Sequence, residues 1–569
     1  MGSIFFEITI IICLAAFLSI IFRMLKQPAI VAYILTGIII GPFGQLQLYN
    51  HDALRTMAQL GITLLLFMLG LELKFKELKS IGKTALILGL GQIIITSIIG
   101  YLISFALGFP VIQALYITIA LTFSSTIIVV KILSDKKDIS SLYGKILAGI
   151  LLIQDFFAIF ILIILSAFNS NTQNALSIET FLLVFVKGII LVSVVVLISK
   201  IIFPKIIHII SKAPETLFLF SLAWVFGLAA IVSSKPIGFS IEIGGFLAGF
   251  ALANSSENFQ IIARVKALRD FFITIFFVVL GMEMTFVSAE KIIIPIIVFS
   301  AFVLFGKPLI VVLLAGVMGY RKRTSFLSGI NVAQVSEFSL VIIFLGNKLG
   351  HIPSQIVSLI ATIAIISFIL STYAITNSNN FYRLIRNYLG IFERKNNIEG
   401  SAKNNETDKK IDNLKDHVIL IGAHRMGQSI LDALENEGEK VVVVDFDPDI
   451  VEELKARGIL SIFGDIADLD IQEKVQLHSA KLVISTVPDI DDNMILIKSL
   501  NHRKNSSNRR AKIVLMAQDE DDARDLYKKG ADYVILPHLV GGRHLAKMIK
   551  DNDMENIDSL KSKDLKYLG

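Results

Sequence analysis

The chain has 569 residues, 54% of them hydrophobic and only 18% charged, with a mean hydropathy of +0.70, a balance that excludes a soluble enzyme of this length. Its one cysteine, Cys13, rules out disulfides within one chain and thiolate metal sites, and the nine histidines show no ligand spacing. The net charge of +6 is not the mark of a nucleic-acid binder, because the basic residues fall in loops between apolar segments, where membrane orientation explains them.

Thirteen apolar segments follow in chain order: 4–22, 28–42, 56–73, 84–107, 111–133, 144–168, 179–203, 216–233, 237–253, 270–287, 292–317, 324–346 and 354–376. Most can cross a bilayer, while the second and ninth are short enough to be half-embedded. The first has no basic residue before it and no small-residue cleavage site, so it is expected to persist as a span and not to be removed as a signal peptide. Basic residues crowd alternate loops, as at Lys74, Lys76 and Lys79, at Lys131, Lys136 and Lys137, and at Arg321, Lys322 and Arg323. The intervening loops carry single ones such as Arg55 and Lys348. This asymmetry predicts a multi-pass plasma-membrane protein with its N-terminus outside and its C-terminal region cytoplasmic.

The character changes after residue 378. Residues 379–413 read as a linker whose later part, RKNNIEGSAKNNETDKKIDN, is charged and polar. Over 414–540, β-branched runs such as HVILIG, KVVVVDF, KLVIST and KIVLMA alternate with helical stretches. Buried strands alternating with amphipathic helices predict a doubly wound parallel sheet. Residues 541–569 form a charged, helical tail. The fold class expected is thus a polytopic all-α membrane domain over 1–378 joined to an α/β Rossmann-like domain.

Within the membrane half, Asp155 stands in the middle of GKILAGILLIQDFFAIFILIILSAF. An ionised carboxylate there costs at least about 3 kcal/mol on insertion scales, so it is expected on an ion or proton path. Two spans carry polar clusters at mid-depth: LTFSSTIIVV, with Thr122, Ser124, Ser125 and Thr126, and GINVAQVSEFSLV, with Asn331, Gln334, Ser336 and Glu337. One cluster alone would be explained by hydroxyls bonding back to the preceding turn. Two, in corresponding positions of two halves, predict broken helices around a midplane ion site. Gln154 and Asp155, with Thr122, Ser124 and Ser125, are the candidate ion-binding set.

Lys307, in FVLFGKPLIVVLLAG, is a second intramembrane charge and is expected to pair with Asp155. Burial and a neighbouring ammonium act oppositely on an acid, and their balance can leave it titrating near physiological pH. Protonation and cation binding would then compete at Asp155. Glu337 is placed to neutralise the positive ends of the broken helices. Glu72, Glu242 and Glu283 lie near span ends or glycine-rich turns and are expected to be structural.

In the soluble half, VILIGAHRMGQSI is a strand, a glycine turn and a helix start. Gly422 and Gly427 keep the first and last positions of a dinucleotide fingerprint, while His424 takes the place of the middle glycine, followed by Arg425 and Met426. The middle glycine normally lets backbone approach a pyrophosphate, so its loss disfavours NAD(H). A helix N-terminus still favours phosphate. Asp445, Asp465, Ser485 and Thr486 follow other strands at the carboxyl edge, where open sheets bind ligands; Asp445 is placed for ribose hydroxyls.

These pieces resemble the second cation–proton antiporter group, and within it the Kef-type potassium efflux systems. The likeness is carried by LLLFMLGLEL, SSTIIVVKIL, IQDFFAI, GGFLAGFALANS, FFVVLGMEM and AQVSEFSLV. It implies two inverted repeats, a homodimer in the lipid bilayer and elevator-like alternating access, with Asp155 of the Gln-Asp pair carrying cation or proton. It also implies potassium over sodium, which the polar inventory itself does not separate. The soluble half resembles the regulator of potassium conductance module. That likeness implies gating by an adenine nucleotide, with AMP favoured over ATP, ADP or NAD(H), and no catalytic cofactor. In glutathione-restrained Kef systems the loop after the ninth span is acidic; here ENFQIIARVKALRDFF is largely basic, so glutathione control is not expected. A sodium–proton exchanger and a nucleotide-gated passive channel are the alternatives, but no TVGYG-like filter occurs. Neither a substrate domain nor a catalytic acid–base pair is evident, so transport and not catalysis is expected.

Overall fold

The computed structural model describes residues 4–42, 50–72, 83–136, 138, 141–167, 178–201, 203, 207, 210, 213–234, 236–255, 257–285, 289–320, 322–389, 411, 414–445, 448–466, 469–487, 490–501, 511–550 and 561. The chain divides into two compact units. The first comprises Met1–Leu133 and Tyr143–Phe392; the second comprises Ser134–Leu142 and Glu393–Gly569.

Among the described residues, the elements of the first unit are all helices. Its helices in chain order are α1 (Ile4–Met24), α2 (Ala29–Ile40), α3 (His51–Glu72), α4 (Lys83–Ala106), α5 (Val111–Thr122), α6 (Thr126–Asp135), α7 (Leu142–Ala167) and α8 (Ile178–Ile201). They continue as α9 (Pro214–Val232), α10 (Ile241–Leu252), α11 (Asn258–Met282), α12 (Ala289–Ala301), α13 (Lys307–Val317), α14 (Lys322–Ile330), α15 (Glu337–Lys348), α16 (Ser354–Thr376) and α17 (Ser378–Leu389). Without water in the hydrocarbon layer every backbone group needs an internal partner, which is why apolar runs of this length are helices. Among the described residues, eight helical stretches are long and apolar enough to cross a membrane. The two short segments, α2 and α10, have 12 residues each.

Packing sorts the helices into two sets. In one, α10 and α11 pack on α3, α11 also on α2, α9 on α10, and α1 on α2. In the other, α4 packs on α5, α13 on α14 and α4, α15 on α5 and α16, and α12 on α16. A π-helical turn, Phe302–Gly306, leads from α12 into α13 and delivers Lys307 to the interior. The expected linker begins differently from the sequence reading. Its first residues form α17, which packs on α14, with the Tyr382 and Phe326 rings 5.9 Å apart. Residues 390–410 lie outside the described residues.

The second unit holds a six-stranded, all-parallel sheet in the order β3-β2-β1-β4-β5-β6. The strands are β1 (His417–Ile421), β2 (Val441–Asp445), β3 (Leu460–Phe463), β4 (Ala480–Ser485), β5 (Lys512–Met516) and β6 (Tyr533–Ile535). β1 and β2 are buried throughout, as a sheet covered on both faces requires. Order reverses between β1 and β4, which opens a crevice at their carboxyl ends. The helices used below are α18 (Arg425–Asn436), after β1, and α19 (Pro537–Lys550), after β6. The latter runs across the boundary expected at residue 541; residues 551–560 and 562–569 lie outside the described ones.

Candidate functional site

The two polar clusters do interrupt helices. α5 stops at Thr122, Phe123 takes an extended conformation, and α6 resumes at Thr126. α14 stops at Ile330 and α15 resumes at Glu337. Each restarted helix is capped by a serine: the Ser125 hydroxyl accepts from the Ile128 N–H at 3.3 Å, and that of Ser336 accepts from the Phe338 N–H at 3.1 Å. Serine favours this position because its side chain replaces a missing backbone acceptor. The breaks are bonded to each other. Ser124 Oγ donates to the Val332 carbonyl at 3.1 Å, and Gln334 Nε2 donates to the Ser125 carbonyl at 3.3 Å.

A broken helix leaves carbonyls unsatisfied at one stub and N–H groups at the other, so two facing breaks present two negative and two positive ends. Lys307, fully buried, serves the negative ends: Nζ donates to the Phe123 carbonyl at 2.9 Å and to the Gln334 carbonyl at 2.8 Å. Glu337 stands at the positive ends, in the first turn of α15 and facing the Ser125 hydroxyl and the Ile127 N–H of α6. The expected pairing of Lys307 with Asp155 is therefore corrected. Backbone carbonyls at the breaks claim the ammonium.

Among the described residues, Asp155 has no cationic partner. Its carboxylate, 5% exposed, accepts from the Thr126 hydroxyl at 2.9 Å. Its charged neighbours are acidic, Glu337 more strongly felt than Glu72. A buried carboxylate held by one hydroxyl, with acidic charges around it, requires a proton or a cation to be stable.

Other candidates are occupied elsewhere. Gln154 Oε1 accepts from the Ser124 N–H at 2.8 Å, and its Nε2 donates to Gln92 Oε1 at 2.6 Å. Both ends of the amide thus hold the break in place. Thr122 bonds back to the Thr118 carbonyl at 2.8 Å and meets the Ser97 hydroxyl at 3.1 Å. Three residues escaped the sequence reading. Gln92 on α4 donates to the Thr122 carbonyl at 3.1 Å and the Thr96 hydroxyl at 3.0 Å, besides holding Gln154; nothing in its apolar span announces it. Thr126 belongs to a predicted polar cluster, but nothing in that cluster marks it as the group on Asp155. Glu72, expected to be structural, carries a charge that reaches Asp155.

In the second unit, a small crevice lies at the carboxyl edge of the sheet, where open parallel sheets bind ligands. Gly422, Asp445, Gly464, Asp465 and Asp492 line it, with Ser141 and Leu142 of the same compact unit. Gly422 has φ +81°, and a Cβ on Gly427 would lie 1.9 Å from the Gly422 carbonyl oxygen. The turn is therefore closed to larger residues at both positions. Asp445 accepts from the Ala423 N–H at 2.7 Å, so one of its oxygens holds the turn as well as facing the pocket. The Thr486 hydroxyl bonds to the Ile421 and Gly422 carbonyls at 3.2 and 3.0 Å, and Ser485 Oγ accepts from the Val487 N–H at 3.3 Å. These two fasten strand ends. His424, exposed, is the N-cap of α18 without a side-chain cap bond, and Arg425 and Met426 begin that helix.

Residues 10–377 match the family model described as sodium/hydrogen exchanger, transmembrane. The chain belongs to this exchanger family. Residues 418–537 match the TrkA-N domain, which is the parallel-sheet unit. Similarity to a relative named as the cation/proton antiporter YbaL of Escherichia coli K12 is 25% identity, covering 94% of each chain. A relative named as the K(+) efflux antiporter KefB of Alkalimonas amylolytica is 23% identical, over 94% of this chain and 79% of that one. The iron transporter MagA of Paramagnetospirillum magneticum is 29% identical, over 63% of this chain and 82% of its own. This exchanger is thus a multi-pass membrane protein with a soluble C-terminal TrkA-N domain.

Proposed function

We propose that the chain exchanges a monovalent cation, potassium in preference to sodium, for protons by alternating access, and that cation and proton compete for Asp155. The observation that carries this reading is the isolation of that carboxylate. It is buried beside two helix breaks, its one expected counter-ion is bonded elsewhere, and the charged groups whose fields reach it are acidic. A permanent ion pair would hold the acid in one state; an unpaired one can trade a proton for a metal ion. The preference for potassium rests on the likeness to potassium efflux systems, among which one relative is named.

The second part of the proposal is that an adenine nucleotide bound by the TrkA-N unit sets the rate. The pocket sits where open sheets bind ligands, and His424 in place of the middle glycine favours a mononucleotide such as AMP over a dinucleotide.

Reconstitution in proteoliposomes with a pH-sensitive dye tests both parts. Addition of potassium or sodium is expected to collapse an imposed pH gradient, with potassium effective at lower concentration, and AMP is expected to change the rate. Asp155→Asn is expected to abolish cation-dependent proton movement. Coupled exchange that survives this substitution intact would remove Asp155 from its role.

A further inference from the structure

Glu337 is 1% exposed, and neither carboxylate oxygen completes a hydrogen bond of normal geometry, although both are buried. Its surroundings explain why this is unusual. Gln334 uses both ends of its amide, donating to the Ser125 carbonyl and accepting from Ser371 Oγ at 2.9 Å. Lys307 is committed to two carbonyls. Arg269, the cation whose charge Glu337 feels, is bound to Asp270 at 2.7 Å. The two helix N-termini offer partial positive charge, roughly half an elementary charge each. They favour an anion here, but they leave its oxygens open.

A carboxylate buried in this way stays ionised only if something positive fills its open side. The two acids meet consecutive residues of the same break: the Thr126 hydroxyl donates to Asp155 at 2.9 Å, the Ser125 hydroxyl stands beside Glu337, and the charge of Glu337 reaches Asp155. Two carboxylates and a hydroxyl form a hard oxygen donor set, the chemistry that binds a dehydrated alkali cation.

We propose that Glu337 is a second carboxylate ligand of the transported monovalent cation, which binds between it and Asp155 with the Ser125 hydroxyl alongside. This goes beyond neutralising helix ends, a task that any negative charge at the position could perform. It rests on the reading of Asp155 as the carrier.

The full-length protein reconstituted in proteoliposomes, assayed with potassium chloride, sodium chloride and choline chloride, separates the two roles. Glu337→Asp keeps the negative charge at the helix ends but withdraws it by one methylene; Glu337→Gln removes it. Both are expected to raise the apparent KM for potassium about tenfold or more, the loss of one good contact, with Glu337→Asp keeping most of the maximal rate. Potassium is also expected to raise the melting temperature of the solubilised wild-type chain, and to do so much less in either variant. A Glu337→Asp protein with the wild-type KM and the wild-type potassium-dependent shift would overturn the proposal and leave only neutralisation. Asp155→Asn, run in parallel, keeps the outcomes apart. If it retains coupled exchange, the carrier reading falls; if it is inactive while Glu337→Asp is unaltered, only the second ligand falls.

Discussion

Lys307 shows how a single side chain can be read correctly for place and wrongly for partner. Sequence placed it deep in a span beside an unpaired acid, and charge complementarity pointed to Asp155. What decided otherwise was the backbone: two helix stubs leave carbonyls that must find donors in a medium without water, and an ammonium has three. Lys307→Met is therefore expected to act mainly on stability. It leaves two buried carbonyls unsatisfied, at a cost of roughly 2 kcal/mol or more, seen as a lower melting temperature of the solubilised protein. An unaltered melting temperature with a displaced pH profile of transport would point back to an Asp155 pair. His417, the first residue of β1, gives a second residue-scale expectation. Burial pushes its imidazole below the ordinary histidine range, partly offset by the bond from Nε2 to the Val475 carbonyl at 2.9 Å. Its Nδ1 has no partner, so a second N–H there would go unsatisfied. The unfolded chain takes up this proton near pH 6.5 and the folded one only below that. Stability of the TrkA-N unit is thus full above about pH 6.5 and falls as pH drops toward the folded value. Hydrogen exchange in β1 should lose protection over that window in the wild type and less so in His417→Gln; identical profiles would contradict it.

At the level of elements, the breaks were legible because each placed several polar residues within an otherwise apolar run, a pattern that a membrane tolerates only where backbone leaves the helix. The sheet was legible for the same kind of reason: β-branched runs such as VVVVD, alternating with amphipathic helices, mark strands buried on both faces, as in a parallel sheet covered by helices. What sequence could not reveal was how the breaks are held. Gln92 lies 30 positions from Thr122 and 62 from Gln154, and a lone glutamine in an apolar helix carries no sign of its partners. Gln154, adjacent to Asp155, looked like a ligand for that adjacency alone. In the fold it faces Gln92 and the Ser124 N–H, on the side that fixes α5 and α6. Gln92→Leu is expected to lower the maximal exchange rate roughly tenfold or more by displacing the break, while the cation KM stays near the wild-type value. A raised KM with an unaltered rate would make Gln92 part of the binding site instead.

Across the whole membrane unit, the two helix sets have to move against each other if access alternates, so contacts that join them govern the rate. One such contact is the ion pair between Glu242 of α10 and Lys348 of α15, 3.6 Å apart, with the glutamate buried and the lysine partly exposed. The sequence reading treated Glu242 as structural because no single span shows what lies across from it. A half-exposed pair of this kind contributes up to about 1 kcal/mol, and its loss is expected to change turnover by about two- to fivefold. Glu242→Gln and Lys348→Gln should have similar effects, and the double variant no more than either alone. Strictly additive effects would show that the pair does not act as a unit. The central claim concerns the competition itself, and the apparent potassium KM measured across pH in proteoliposomes tests it most directly. Competition at Asp155 predicts a KM that rises toward about tenfold per pH unit as protons occupy the site, with the maximal rate nearly constant; a KM independent of pH would contradict it.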